Sequence, residues 1–171
     1  RLHMKVNYIT LYSVDLTSHE TYHMAEGKTC DTVKTHVLCL ETDSGLKGWG
    51  EVCPIPHYLP AFADGVPNAI REMAPEILGI SPIGIDAPMR KLDEFLQGHN
   101  YAKSIVDMAL WDLYGKITGL PLYQLLGGRV QRDMPLYHSI TCIAPREMAR
   151  IAKEAYATGI RQFQVKLGAD A

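Results

Sequence analysis

The sequence predicts an α+β domain followed by the opening of an α/β domain. Three observations carry that reading. β-rich segments joined by turn residues fill the stretch before residue 53, amphipathic helical patterns succeed one another between residues 64 and 126, and a β-α-β rhythm runs from residue 134 onward.

Met4 to Leu16 sets Val6, Tyr8 and Thr10 against Ile9 and Leu11 and is rich in β-branched and aromatic residues, which predicts a strand. Residues 32–42 predict a second. Asp43-Ser44-Gly45 supplies turn chemistry, and Leu46 to Val52 returns as the antiparallel partner, completing a three-stranded meander. Thr17 to Asp31 lacks periodicity and reads as a loop, longer than neighbouring antiparallel strands need and therefore a candidate functional segment. Cys53 to Ala63 carries Pro54, Pro56 and Pro60, which forbid regular pairing and stiffen the backbone into a flap.

Helices are expected over Asp64–Leu78, with Pro75 kinking or dividing it, and over Asp86–Leu96. The longest pattern spans Tyr101–Thr118, where Ala102, Ile105, Val106, Ala109, Leu110, Leu113 and Ile117 form one apolar face. Gly119 ends it, and Leu122–Leu126 forms a short helix stopped by Gly127-Gly128. Met134–Thr141 then reads as a strand, Pro145–Thr158 as a helix and Ile160–Leu167 as a strand, and one crossover helix makes the two strands parallel neighbours. A domain boundary falls near residues 127–134.

Composition narrows the function. The chain has 171 residues, 47% of them hydrophobic, too few for a complete (β/α)₈ barrel of about 250 residues. Its net charge is −2 and no run of five like charges occurs, so neither nucleic acid nor a membrane surface is an expected partner. No apolar stretch approaches eighteen residues and no signal peptide opens the chain, which predicts a cytoplasmic protein; Arg1-Leu2-His3 before Met4 reads as a vector remnant. The four cysteines form no CxxC pair and read as reduced thiols.

Among residues that could carry chemistry, Lys166 stands first. Period two along the last strand puts Gln162, Gln164 and Lys166 on one face and Phe163, Val165 and Leu167 on the other. The apolar face is expected to meet helices, which leaves the polar face for a cleft. Lys166 ends the strand, where parallel α/β proteins gather their active sites. A lysine becomes a general base when burial and neighbouring cations bring its pKa from about 10.4 towards ~7–8; the bland alternative is a solvated lysine on an edge strand. None of the seven histidines forms HxH or HExxH, and the His19/His23 pair lies in a predicted loop, so no metal ligand is assigned. His36, His57 and Tyr58 are candidates for substrate contact, against plain packing or surface roles. Asp107 and Trp111, four apart on the long helix, are placed to make a buried polar contact. GxSxG, Walker A and GxGxxG motifs are absent.

The order of parts resembles the N-terminal half of the enolase superfamily, in its mandelate racemase/muconate lactonising branch. The resemblance covers residues 4–168 and is carried by the Ser44-Gly45-Leu46-Lys47-Gly48-Trp49-Gly50-Glu51 hairpin, the helix from Ile105 to Leu113 with Gly115-Lys116, the Leu125-Leu126-Gly127-Gly128 stop and the closing Gln164-Val165-Lys166-Leu167-Gly168. Gly98-His99-Asn100-Tyr101-Ala102-Lys103 is similar to a segment of the subgroup containing 4-hydroxyproline betaine 2-epimerase and cis-3-hydroxy-L-proline dehydratase. That subgroup also has Gln, here Gln164, where the wider branch has the first lysine of Lys-x-Lys.

The resemblance implies an α+β capping domain over residues 4–128 and the first β-α-β of a modified TIM barrel over 129–171. It implies a Mg²⁺-dependent enzyme that removes the α-proton of a small carboxylate through an enediolate, as a racemase/epimerase or dehydratase of proline-like amino acids. Cycloisomerisation is the alternative on the same scaffold. Lys166 matches the base, Tyr22, His57, Tyr58 and Gln164 are the implied substrate contacts, and the Mg²⁺ ligands are expected beyond residue 171. Homo-oligomers are implied as well. The 171-residue unit alone is then expected to be inactive and poorly soluble, because its barrel strands lack partners. A non-catalytic binding or oligomerisation module is the reading from another class.

Overall fold

The structure is a computed structural model that describes residues 3–55 and 59–168. In chain order it comprises β1 (Val6–His23), β2 (Thr29–Thr42), β3 (Lys47–Val52), α1 (Gly65–Ile77), α2 (Asp86–Phe95), α3 (Asn100–Thr118), α4 (Leu122–Leu125), β4 (Tyr137–Ile140), α5 (Pro145–Ala157) and β5 (Gln162–Val165). The chain divides into two compact units. One takes in the chain up to Leu16 and Lys34–Arg129; the other takes in Thr17–Val33 and the chain from Val130.

In the first unit the strands lie in the order β1-β2-β3, with β2 and β3 antiparallel. The turn between them forms as Asp43-Ser44-Gly45 dictates: Gly45 takes a φ of +80°, and the Leu46 N–H donates to the Thr42 hydroxyl at 3.1 Å. Alternation along β2 sends His36, Leu38 and Leu40 into the core, where each is fully buried. Over them pack Val66, Ile70, Met73 and Ile77 from α1, Leu92 from α2, and Ile105, Leu110 and Leu113 from α3. Each such side chain contributes about 1.5–3 kcal/mol by leaving water. Pro75 does not divide α1, which runs unbroken to Ile77; the proline removes one ladder donor near the helix end.

The hairpin and long-helix motifs have one shared structural meaning. A Cβ at Gly50 would collide with the Ile105 carbonyl, and one at Gly48 with the Ala109 carbonyl and the Leu113 side chain. Both glycines therefore let α3 lie directly on β3. Asp112 locks the contact by accepting the Trp49 N–H at 2.9 Å and the Lys116 ammonium at 2.7 Å, while Lys116 also donates to the Lys47 carbonyl at 2.7 Å. The Gly98–Lys103 segment turns the chain into α3: His99 takes a left-handed φ of +54°, its carbonyl accepts the Ala102 and Lys103 N–H groups, and the buried Lys103 ammonium pairs with Asp93 at 2.8 Å.

The second unit corrects the predicted loop over residues 17–31. β1 continues to His23 and β2 begins at Thr29, joined by a tight turn in which Glu26 and Gly27 have φ of +61° and +70° and the Met24 N–H donates to the Lys28 carbonyl at 2.8 Å. Residues 12–21 are exposed throughout, so neither face of this ribbon has to be apolar. The alternation by which a strand announces itself is therefore missing. β4 and β5 are parallel, as one crossover helix requires, with Ser139 opposite Gln164 and Ile140 opposite Val165. The apolar face of β5 is only partly covered: Val165 is 49% and Leu167 76% exposed. Among the described residues no helix is long and apolar enough to cross a membrane.

Candidate active site

Two short parallel strands and the end of β1 build the candidate site, all within the second unit. Lys166 follows β5 directly, and its N–H donates to the Ile140 carbonyl at 3.1 Å, which holds the residue in register with β4. It is half-buried, and its ammonium has no ion-pair partner among the described residues. Gln164 lies two residues earlier on the same face, and its Oε1 accepts the Ser139 hydroxyl at 3.2 Å. Ser139 in turn is hydrogen-bonded to the Tyr22 hydroxyl.

The end of β1 is fastened at a second point. The Thr141 hydroxyl accepts the His23 N–H at 2.6 Å and donates to the His23 carbonyl at 3.1 Å; that carbonyl also accepts the Cys142 N–H at 3.1 Å. The ribbon thus ends on the C-terminal end of β4. A recess of about 460 Å³ opens there, lined by His23, Met24, Glu26, Lys28, Cys142 and Gly168 among others. A side chain at 168 would meet the Cys142 sulfur at 3.0 Å, so glycine keeps the exit of β5 clear.

Of the sequence-predicted residues, the structure brings Tyr22 and Gln164 together through Ser139 and puts Lys166 directly after the strand that carries Gln164. His57 and Tyr58 lie outside the described residues. Ser139 and Thr141 were not singled out from the sequence. The signal for them was the period of two along β4, which puts Tyr137, Ser139 and Thr141 on one face as it does Gln162, Gln164 and Lys166 after α5. His36 is a packing residue: it is fully buried with its Nδ1 2.8 Å from the Ser13 hydroxyl. Burial holds its pKa below the ordinary histidine value, against the opposing pull of the Ala63 backbone.

A larger groove of about 950 Å³ lies in the first unit, between Trp49, Met108, Trp111, Leu120, Leu122 and Leu126 among others. Asp107 on its wall has a carboxyl pushed up by burial and by the charge of Asp86, against the opposing pull of Trp111. The groove shares no residue with the Lys166 strand and offers a mostly apolar lining, so it is not the site assigned here. Among the described residues no three His, Cys, Asp or Glu side chains converge as metal ligands, and the site as described does not fit a Mg²⁺ ion.

Comparison with known proteins bears on this arrangement. Residues 8–127 match the family model described as mandelate racemase / muconate lactonizing enzyme, N-terminal domain. The chain is 43% identical over 170 residues to cis-3-hydroxy-L-proline dehydratase of Roseibium aggregatum, covering 98% of this chain and 46% of that protein. A crystal structure of mandelate racemase/muconate lactonizing enzyme from Roseovarius nubinhibens superposes with a TM-score of 0.91 at 35% identity, over 98% of this chain and 45% of that one. A member of the enolase superfamily from the same organism, complexed with magnesium, superposes at 0.88 with 37% identity, over 98% and 46%. Further relatives bear the names of a racemase, an epimerase and a cycloisomerase. The chain spans about half the length of the curated relatives it matches.

Proposed function

The chain belongs to the mandelate racemase/muconate lactonizing enzyme family of the enolase superfamily, and from that premise we propose that the complete protein is an enzyme that removes the proton α to a carboxylate, with Lys166 as the base. Residues 4–128 are the capping domain, and 129–171 open the barrel. The observation that carries the reading is the place of Lys166: it leaves a parallel strand at the C-terminal end, shares a polar face with Gln164, and is held in register by β4. There its amine takes the α-proton from one face of the substrate, forming N–H as C–H breaks. Gln164 offers polar contact to the substrate, and His57 and Tyr58 are further proposed substrate contacts. The ribbon over residues 17–31 excludes water.

Likeness to cis-3-hydroxy-L-proline dehydratase supports a proline-like amino acid as substrate, and racemisation/epimerisation or dehydration as the outcome. Magnesium is named for a relative's structure, and the metal's place in this protein belongs to carboxylates outside the described residues. The protein is taken to work as a homo-oligomer in the cytoplasm. The test is Lys166→Ala in the complete protein, followed by deuterium uptake at the substrate α-carbon. Exchange on the face that Lys166 serves is expected to vanish; unchanged exchange on both faces overturns the assignment.

A further inference from the structure

Three hydroxyl and amide groups in the site can be ordered by counting protons. Gln164 Oε1 is a carbonyl oxygen and can only accept, so the Ser139 hydroxyl donates to it across 3.2 Å. A serine hydroxyl has one proton, and that donation spends it. The Tyr22 hydroxyl, also bonded to Ser139, must then be the donor of the remaining bond. The direction is Tyr22 to Ser139 to Gln164. With its carbonyl so engaged, Gln164 keeps both amide N–H donors without a partner among the described residues, on an exposed side chain two positions before Lys166.

We propose that Tyr22 is a positioning residue that acts through Ser139 to hold the Gln164 amide with its donors, not its carbonyl, available to a ligand. This replaces the direct substrate contact expected of Tyr22. The site then recognises an acceptor-rich anionic group, a carboxylate, beside the amine of Lys166, and rejects a ligand that presents a donor there. The ribbon contributes by a relay, because Tyr22 is carried to Ser139 by the same β1 end that Thr141 grips at His23. The substrate contact of Gln164 rests on the reading of Lys166 as base; the relay does not.

The complete protein, labelled with ¹⁵N-glutamine, reports the relay through the side-chain amide pair of Gln164, identified by its loss in Gln164→Glu. Tyr22→Phe and Ser139→Ala are each expected to move that pair. With cis-3-hydroxy-L-proline as probe, each raises KM roughly three- to tenfold with kcat little changed, and the double variant is no worse than either single. Gln164→Glu still accepts from Ser139 but has no donor, and its KM is expected to rise further than that of Tyr22→Phe. An amide pair unmoved by Tyr22→Phe, or single effects that multiply in the double variant, overturns the relay. If Lys166→Ala retains exchange, the catalytic reading fails while the amide pair still decides the relay.

Discussion

The two units of this chain divide stability from the proposed chemistry. The first buries Leu38, Leu40, Met73, Ile77, Leu92, Ile105, Leu110 and Leu113 completely and presses α3 onto β3 through two glycines. Among the described residues the second buries one large apolar side chain, Ile140, and leaves Val165 and Leu167 open, yet it holds Lys166, Gln164, Ser139 and Tyr22. A site needs polar side chains facing a cleft, and in a short parallel pair every such position is one that cannot serve the core. The lesson is that residues fixing the fold and residues proposed for the reaction can be perturbed separately.

Leu110→Ala should have the largest effect on the fold, lowering the stability of the complete protein by about 2–5 kcal/mol, read in a denaturant titration. Exchange per folded molecule is expected to be unchanged. Gly50→Ala comes next, at roughly 1–3 kcal/mol, because the new methyl meets the Ile105 carbonyl and β3 has to lift from α3. A smaller change is expected from pH. Since burial lowers the folded pKa of His36, the unfolded chain binds that proton first as pH falls. The fold therefore has its full contribution from this group above about pH 6.5 and loses it below, and His36→Gln should flatten the dependence of stability on pH in that range. Smallest is Leu167→Ser, expected within about 0.5 kcal/mol for a side chain so exposed. A loss as large as that of Leu110→Ala would show that the second unit has an apolar core.

Much of this division was legible in the residues. The helical stripe from Ala102 to Ile117 and the turn at Gly45 announce themselves because burial and positive φ restrict which residues can stand there. Lys166 was legible from alternation and from its place at a strand end. The continuation of β1 to His23 was hidden, because a ribbon with two wet faces leaves no apolar period to read. Ser139 was hidden for another reason. A serine on a strand looks like any surface serine until the fold brings Tyr22, 117 residues away in sequence, to its hydroxyl. The glycines of the hairpin motif were visible as a pattern, but their meaning, the approach of α3, appears only when the helix is in place.

The central claim is that the proton-abstracting group belongs to the β5 exit and contributes little to folding. Lys166→Met and Leu110→Ala in the complete protein, compared for melting temperature and for α-hydrogen exchange of cis-3-hydroxy-L-proline in D₂O, test it directly. Lys166→Met should keep the melting temperature and lose exchange by at least about 100-fold, while Leu110→Ala does the reverse. Exchange that survives in folded Lys166→Met on the face that Lys166 serves contradicts the account.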